Sequence, residues 1–596
     1  MAGGQPPHRN QGSAASIGAR ARRAERLAIA LHQTLEQLAA VAAIRGDETE
    51  AAWFAEAAAL VRSRQIHSDA DLAPLLDQPP DEVSPQALTH LRHMHDAGGW
   101  VLLESAVADL PADLRWLFES GAVSIEQLAR LHQELGVTSA ADLAAAVDAH
   151  AIGSVPGLDV QTEQAIAAAL PHLRAAVPRV PLGRAMSIAR PVMECLTRAG
   201  AEWASPVGSL RRGRDFVGDI EVLAPLEEPG PAFDDILQLP DVTRILHRGR
   251  RRLYVLIDRV QVGVRCPVAA EAGAALLNLT GSIEHVRRLA TLASEHGWTL
   301  GPRGLDQATA SPLAETEQEI YAALGLPIIP AEIREGMDEI GAARAGRLPA
   351  LVARQDIRGD LHMHTDWSDG RDPVAAMADA ADALGYEYIA ITDHSPHSGA
   401  TRNLTADGVS RQADEIAALR ERYPRMTILH GCEVDILADG RLDFRDSILE
   451  RFDIVLASLH ERHGHSPDQL LARYVTAMRH PLVSMITHPT NRLIPYRPGY
   501  ELDYDRLFET AVETKTLVEI DGAPGHLDLD GALARRAAAA GATLAIDSDC
   551  HRAEMLDRQM HFGIMTARRG WIEPRHVVNT RSLADLRAFI AAKRGR

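Results

Sequence analysis

Lysine is almost missing from this chain: 596 residues hold it only at 515 and 593, so arginine carries nearly all the positive charge. Acid still exceeds base, 81 Asp and Glu against 62 Lys and Arg. The net charge of −19 excludes a general basic field that would draw the molecule to nucleic acid. Cysteine is scarce as well. Cys195, Cys266, Cys432 and Cys550 lie far apart and form no Cys-x-x-Cys pair, which argues against a disulfide framework and fits a reducing cytoplasm. No apolar run reaches the length of a membrane span and the N-terminus lacks an apolar signal core, so a cytoplasmic protein without a membrane partner is expected. A hydrophobic content of 46% is ordinary for a globular protein, and 596 residues exceed one core, so three or four domains are expected.

What is abundant is a repeated plan in the C-terminal half. The stretch Arg358–Gly370 ends a short apolar run in His362 and His364, with Asp369 five residues on. Residues i and i+2 of a strand point to one side, so both imidazoles can face one ion. Six further runs follow the plan: Tyr388–His394, Thr427–Glu433, Ile454–His460, Val483–His488, Leu517–Asp521 and Thr543–His551. Between them lie Ala-rich segments of helical spacing, such as Val374–Leu384, Ser410–Arg422 and Ala532–Ala540. Strand and helix in alternation, with polar groups closing each strand, is the grammar of a β/α barrel that carries its chemistry at the C-terminal face.

The candidate metal ligands are His362, His364, Asp369, His394, Glu433, His460, His488, Asp549 and His551. A chain with 26 histidines will hold stray ones, but strays would not close strand after strand. Imidazoles mixed with carboxylates and no thiolate suit zinc, manganese or iron, and so many ligands call for two or three ions. Cys432 and Cys550 alternate to the other strand face, which assigns them to packing. His397, His463 and His465 fall in loops at the same face as candidate substrate contacts.

The set Leu-His-Met-His-Thr, Ile-Thr-Asp-His, Gly-Cys-Glu-Val-Asp-Ile, Ala-Ser-Leu-His, Thr-His-Pro and Asp-Ser-Asp-Cys-His, over residues 358–592, resembles the PHP superfamily. It is most similar to the PHP domain at the C-terminus of bacterial family X DNA polymerases. The resemblance implies a distorted (β/α)7 barrel with a trinuclear manganese or zinc site that degrades DNA 3′ ends. His364, Glu433 and Asp549 would be at the centre of the chemistry, and Arg492 fits the His-Pro-Thr-x-Arg segment as a phosphate contact.

The N-terminal half resembles the same family in a degenerate form. Gly208-Ser-Leu-Arg-Arg-Gly, followed by Asp219-Ile-Glu221, is similar to the nucleotidyltransferase palm signature. By that likeness Gly208, Ser209 and Arg212 would bind a dNTP triphosphate, and Asp219 and Glu221 would hold magnesium. Two-metal phosphoryl transfer needs a third carboxylate from a neighbouring strand. Where the family reads Val-Gln-Val-Asp-x-Arg, this chain has Val260-Gln-Val-Gly-Val-Arg265, with Gly263 in the carboxylate's place, and Asp258 is at an odd offset five residues upstream. Upstream, Asp109–Leu143 and Val155–Leu170 resemble helix-hairpin-helix elements, which hold DNA phosphate through backbone N–H groups of a Gly-x-Gly turn. The second glycine of the later hairpin is Asp159, a carboxylate set toward a phosphate.

The expected architecture is multidomain α/β. A disordered stretch 1–20 precedes a helical helix-hairpin-helix-like region 21–178, an α+β palm 179–270 and a small thumb 271–341. A linker 342–357 leads to the barrel 358–592. The expected function is metal-dependent hydrolysis of DNA 3′ ends in repair, beside an impaired polymerase site. The competing reading is a small-molecule phosphatase of the histidinol-phosphate kind, its N-terminal half a non-catalytic DNA- or partner-binding module.

Overall fold

The structure, a computed structural model, describes residues 31–595 except 68, 81–82, 98–101, 104–105, 108–109, 120–121, 177–178, 308–311, 313, 399–401 and 463. The disordered stretch expected at 1–20 and the loop residue His463 lie outside the described residues. The chain divides into two compact units. One comprises Met1–Pro178, Pro191–Ala204 and Gly218–Ala269; the other comprises Arg179–Arg190, Ser205–Val217 and Ala270–Arg596.

In the first unit, helices α1 (Leu31–Ile44) and α2 (Glu48–Ser63) pack together, and their buried stripe includes Leu35, Leu38, Val41, Ala57 and Val61. Asp47 caps α2 by accepting a hydrogen bond from Glu50 N. Further on, α3 (Ile125–Leu135) begins with a capping box of Ser124 and Gln127 and stops at Gly136, which takes a left-handed conformation. Ser139 caps α4 (Ala140–Asp148). Asp159 caps α5 (Val160–Ala176): its carboxylate accepts from Thr162 N and Thr162 Oγ1, both at 2.7 Å. The carboxylate is turned onto its own helix, where the exposed N-terminal amides need an acceptor.

The palm strands of this unit are β1 (Ile220–Leu223), β2 (Val242–Arg248), β3 (Arg252–Ile257) and β4 (Val260–Arg265), in the order β1-β4-β3-β2. Asp258 and Arg259, both at positive φ, make the two-residue turn between β3 and β4. Asp258 therefore belongs to a hairpin turn rather than to a strand face.

The second unit contains the parallel seven-stranded sheet. Its strands, in chain and sheet order alike, are β5 (Gly359–Asp360), β6 (Tyr388–Ile391), β7 (Thr427–Asp435), β8 (Ile454–Ser458), β9 (Met485–Ile486), β10 (Leu517–Asp521) and β11 (Leu544–Asp547). A parallel bridge between Met363 and Cys550 draws the first strand's end to the last and nearly closes the barrel. Every strand is covered on both faces, so the runs read as continuous apolar stretches rather than alternating ones.

Alternation still sorts the side chains. Tyr388, Ala390, Leu429, Ile454, Leu456, Met485, Leu517 and Ala545 form the inner cluster with Leu586 and Ile590 of the C-terminal helix Leu583–Arg594. Their neighbours Ile389, Ile391, Ile428, Val455, Val518, Ile520 and Ile546 pack outward on the surrounding helices. Continued to the C-terminal strand ends, the inner parity reaches Glu433, His460, Glu519, Asp521 and Asp547. Polar groups thus stand above an apolar plug. Cys432 and Cys550 are buried in the outer core.

Candidate metal centre

Glu433 is the hub. Its carboxylate is fully buried, and five imidazoles converge on it. Oε2 lies 2.9 Å from His394 Nδ1, 3.4 Å from His362 Nε2 and 3.5 Å from His364 Nε2. Oε1 lies 2.9 Å from His488 Nε2 and 3.4 Å from His460 Nε2. Around this hub the remaining candidates close in. Asp549 Oδ1 is 3.2 Å from His364 Nε2, while Asp369 Oδ1 is 3.4 Å from His551 Nε2 and 3.6 Å from His394 Nε2. Ligand atoms within 4.8 Å of one another group as His364–Asp369–His394–His551, His362–His364–Asp549 and His394–Glu433–His460.

Whether a metal suits these residues is answered by their unused lone pairs. His394 Nδ1 and Glu433 Oε2 are buried and 2.9 Å apart, yet neither makes a hydrogen bond. His364 Nδ1 and His488 Nδ1 are likewise buried without a partner. Native interiors rarely leave such atoms unsatisfied, and a cluster of them all of ligand type fits a cation. The tautomers point the same way. Glu519 Oε1 accepts from His362 Nδ1 at 2.6 Å, which turns the Nε2 lone pair toward His364 Nε2 only 3.1 Å away. Asp435 holds His460 Nδ1 at 2.9 Å in the same manner. Carboxylates behind ligating histidines fix ring orientation and raise basicity.

Electrostatics follow from this crowding. Burial pushes the Glu433 carboxyl up, but His394, His362 and His460 outweigh it and hold the group well below the usual carboxylate range. His364 is pulled down to about 4 by burial and by His394 and His551 beside it. His488 and Asp549 sit at positive φ, backbone conformations that aim their side chains off the regular strand direction.

Arg492 is placed differently from its sequence neighbours. Its guanidinium donates to Asp215 Oδ2 (2.7 Å), to His526 O (2.8 Å) and to Leu527 O, so each of its three nitrogens already has a protein acceptor. Sequence reasoning passed over Glu519 and Asp435. The signal was there for both, since each lies two residues from an already suspected group, Glu519 from Asp521 and Asp435 from Glu433, on the same strand face.

The palm carboxylates have other company. Glu221 Oε1 accepts from Tyr254 Oη (2.8 Å) and from Arg265 Nη2 (3.2 Å) and Nε (3.4 Å). Arg265 also donates to Asp142 Oδ1 and Ser139 Oγ, both at 2.8 Å. Gly263 sits in register between Glu221 on β1 and Tyr254 on β3. A Cβ there would meet the Tyr254 ring at 2.8 Å and Glu221 Cγ and Oε1 at 3.1 Å. The place of the missing carboxylate is filled by tyrosine. Asp219 immediately precedes β1 in the same unit. Gly208 and Ser209 begin a one-turn helix, Gly208–Arg211, that belongs to the second unit. Beside it Arg211 donates to Thr280 Oγ1 and Glu317, and Arg212 to Thr280 O and Glu335.

Comparison with known proteins agrees with this division. The DNA polymerase beta thumb family matches residues 275–335, and the PHP domain family matches residues 360–521. The chain is 35% identical over 501 residues to the DNA polymerase/3′-5′ exonuclease PolX of Bacillus subtilis, covering 83% of this chain and 87% of that protein. Probable phosphatases match about a third of the chain: one from Syntrophotalea carbinolica at 26% identity (37% of this chain, 90% of that protein), and one from Thermoanaerobacter sp. at 29% (32% and 78%). The Leishmania infantum polymerase beta ternary complex aligns with 36% of this chain and 94% of that one at 19% identity and a TM-score of 0.24, a likeness too slight to build on. With most of its length matched to a polymerase/exonuclease, and thumb and PHP families found in order, this chain belongs to the bacterial family X DNA polymerases that carry a C-terminal PHP domain.

Proposed function

We propose that this protein hydrolyses DNA 3′ ends in its PHP barrel, as a metal-dependent 3′–5′ exonuclease and 3′-phosphoesterase of repair in the cytoplasm, and that its palm performs no templated synthesis. On this reading the working parts are those expected from the sequence: a helical region 21–178, palm 179–270, thumb 271–341, linker 342–357 and barrel 358–592. The observation that carries the hydrolytic reading is Glu433, a buried carboxylate shared by five imidazoles with unsatisfied lone pairs around it.

The nine residues from His362 to His551 would hold two or three divalent ions, manganese or zinc. When bound, such ions lower the pKa of a bridging water toward neutrality and neutralise charge on the phosphoryl oxygens. Glu433 lies between the groups and compensates their charge, while His364 and Asp549 face each other across 3.2 Å. Glu519 and Asp435 keep the His362 and His460 rings turned into the site. Arg492 acts through position, holding the segment that carries His526.

The palm does not suit magnesium. Glu221 already has a cation, Arg265, and a hydroxyl donor, Tyr254, and no third carboxylate stands at 263. The relative's name pairs polymerase with exonuclease activity, so the division can be tested directly. A 3′-labelled primer-template is incubated with manganese, with and without dNTPs, beside a His364→Ala control. Shortening that the control loses supports the barrel nuclease. Extension with dNTPs would overturn the palm reading. Intact DNA together with cleavage of a small phosphomonoester would favour the phosphatase reading that the barrel-sized relatives suggest.

A further inference from the structure

The nine candidate ligands do not exhaust the polar groups above the barrel. Asp521 ends β10 two residues beyond Glu519, and its side chain is wholly buried. Its Oδ1 accepts from Ala523 N at 2.6 Å, but Oδ2 is buried with no hydrogen-bond partner. His526, five residues on, stacks on His488 with ring centroids 5.5 Å apart, and its Nδ1 is buried without a partner too. Together with Asp549 these residues offer three ligand atoms within 4.8 Å of one another.

The loop between them is held in shape. Arg492 donates to the carbonyls of His526 and Leu527, and Thr490 bonds both oxygens of Asp528 through its amide (3.2 Å) and hydroxyl (2.7 Å). Leu527 takes a positive φ, so the chain turns sharply just past the histidine. A buried carboxylate oxygen left bare beside two further buried carboxylates, Glu519 and Asp549, is costly unless a proton or a cation neutralises it.

We infer that Asp521 and His526, with Asp549 as the shared ligand, bind a divalent cation in addition to those held by the nine residues. Two carboxylates and one imidazole suit manganese or zinc, and three protein ligands leave coordination positions open to water or a phosphate oxygen. The inference rests on the metal-centre reading above. Its test separates the two.

The full-length protein is loaded with manganese or zinc, desalted, and its metal counted by mass spectrometry. His526→Gln and Asp521→Asn are treated alike, with circular dichroism and thermal melting to show that they fold. His526 is partly exposed, so His526→Gln keeps the test open if Asp521→Asn fails to fold. Each folded variant is expected to hold one ion fewer per chain and to retain the others. A metal count equal to wild type in His526→Gln would overturn the inference and leave the centre itself standing. Loss of every ion in that folded variant would also overturn it, since His526 would then support the whole centre rather than one site. A wild-type protein that retains no metal would overturn the metal-centre reading first.

Discussion

Two buried glutamates set the two halves of this molecule apart. Glu433 of the barrel is surrounded by imidazoles, which as neutral rings each carry a lone pair, and several ligand atoms around it have no hydrogen-bond partner. Glu221 of the palm meets a guanidinium and a phenol, which have hydrogens to give and no lone pair suited to a metal. The same side chain is thus prepared for a cation from outside in one place and satisfied by an internal cation in the other. Ligand type around a carboxylate, more than the carboxylate itself, separates a site from a joint.

Glu433→Gln is expected to lower nuclease activity on the order of a thousand-fold and to reduce the bound metal, read by initial rates and metal counting. Undiminished activity would show that the convergence of imidazoles is incidental. Arg265→Ala should act on stability instead. It leaves Glu221 and Asp142 buried beside an uncompensated gap, at a cost of about 3–5 kcal/mol. Urea unfolding of the full chain should show an earlier transition; an unmoved one would mean that Arg265 is not the joint it resembles.

A pH profile sharpens the contrast within the first unit. His247 is buried with Nδ1 2.7 Å from Ile44 O, and burial pulls it from 6.5 to about 4. The folded state therefore favours the neutral ring. The associated stability is present in full above about pH 6.5 and is lost as pH falls toward 4, by about 3 kcal/mol. His430 of the barrel shifts likewise, so the measurement is the difference in melting between wild type and His247→Gln across that window, where the variant should have the shallower slope.

Gly263→Asp restores the absent carboxylate on paper, yet the Tyr254 ring stands where the new side chain must go. Primer extension should stay at background while stability falls by about 1–3 kcal/mol through overpacking. Extension would show that only the carboxylate was missing. The smallest effect is expected from Asp159→Ala, which removes the cap of α5 and should lower the melting temperature only slightly, with unchanged affinity for gapped DNA. A change in that affinity would return Asp159 to a phosphate-facing role.

Much of the barrel was legible along the chain. A seven-fold repeat of apolar run, polar terminus and Ala-rich helix states the order of a parallel barrel, because each strand must be covered on both faces and each helix must return the chain. Strand parity then brings Glu433 and His460 to one end without knowledge of any contact, whereas Asp549 reaches it through a positive-φ turn past its strand. Gly263 was legible as well, as a gap in a pattern.

What replaced the missing carboxylate was not. Tyr254 reaches Gly263 only through cross-strand register, and Arg265 meets Asp142 across 123 positions of sequence. Arg492 and Asp159 show the same limit. Spacing offered both to phosphate, whereas Asp215 and the His526 carbonyl engage the one and a helix N-terminus the other. Asp521 stood out as a strand end in the sequence, but its pairing with His526 depends on a turn whose shape Arg492 and Thr490 hold. Which residue types close which strands can be read along the chain, since alternation and periodicity are local properties of a backbone. Which charges have partners emerges only on folding, because hydrogen-bond satisfaction in a buried place depends on neighbours that arrive from distant parts of the chain.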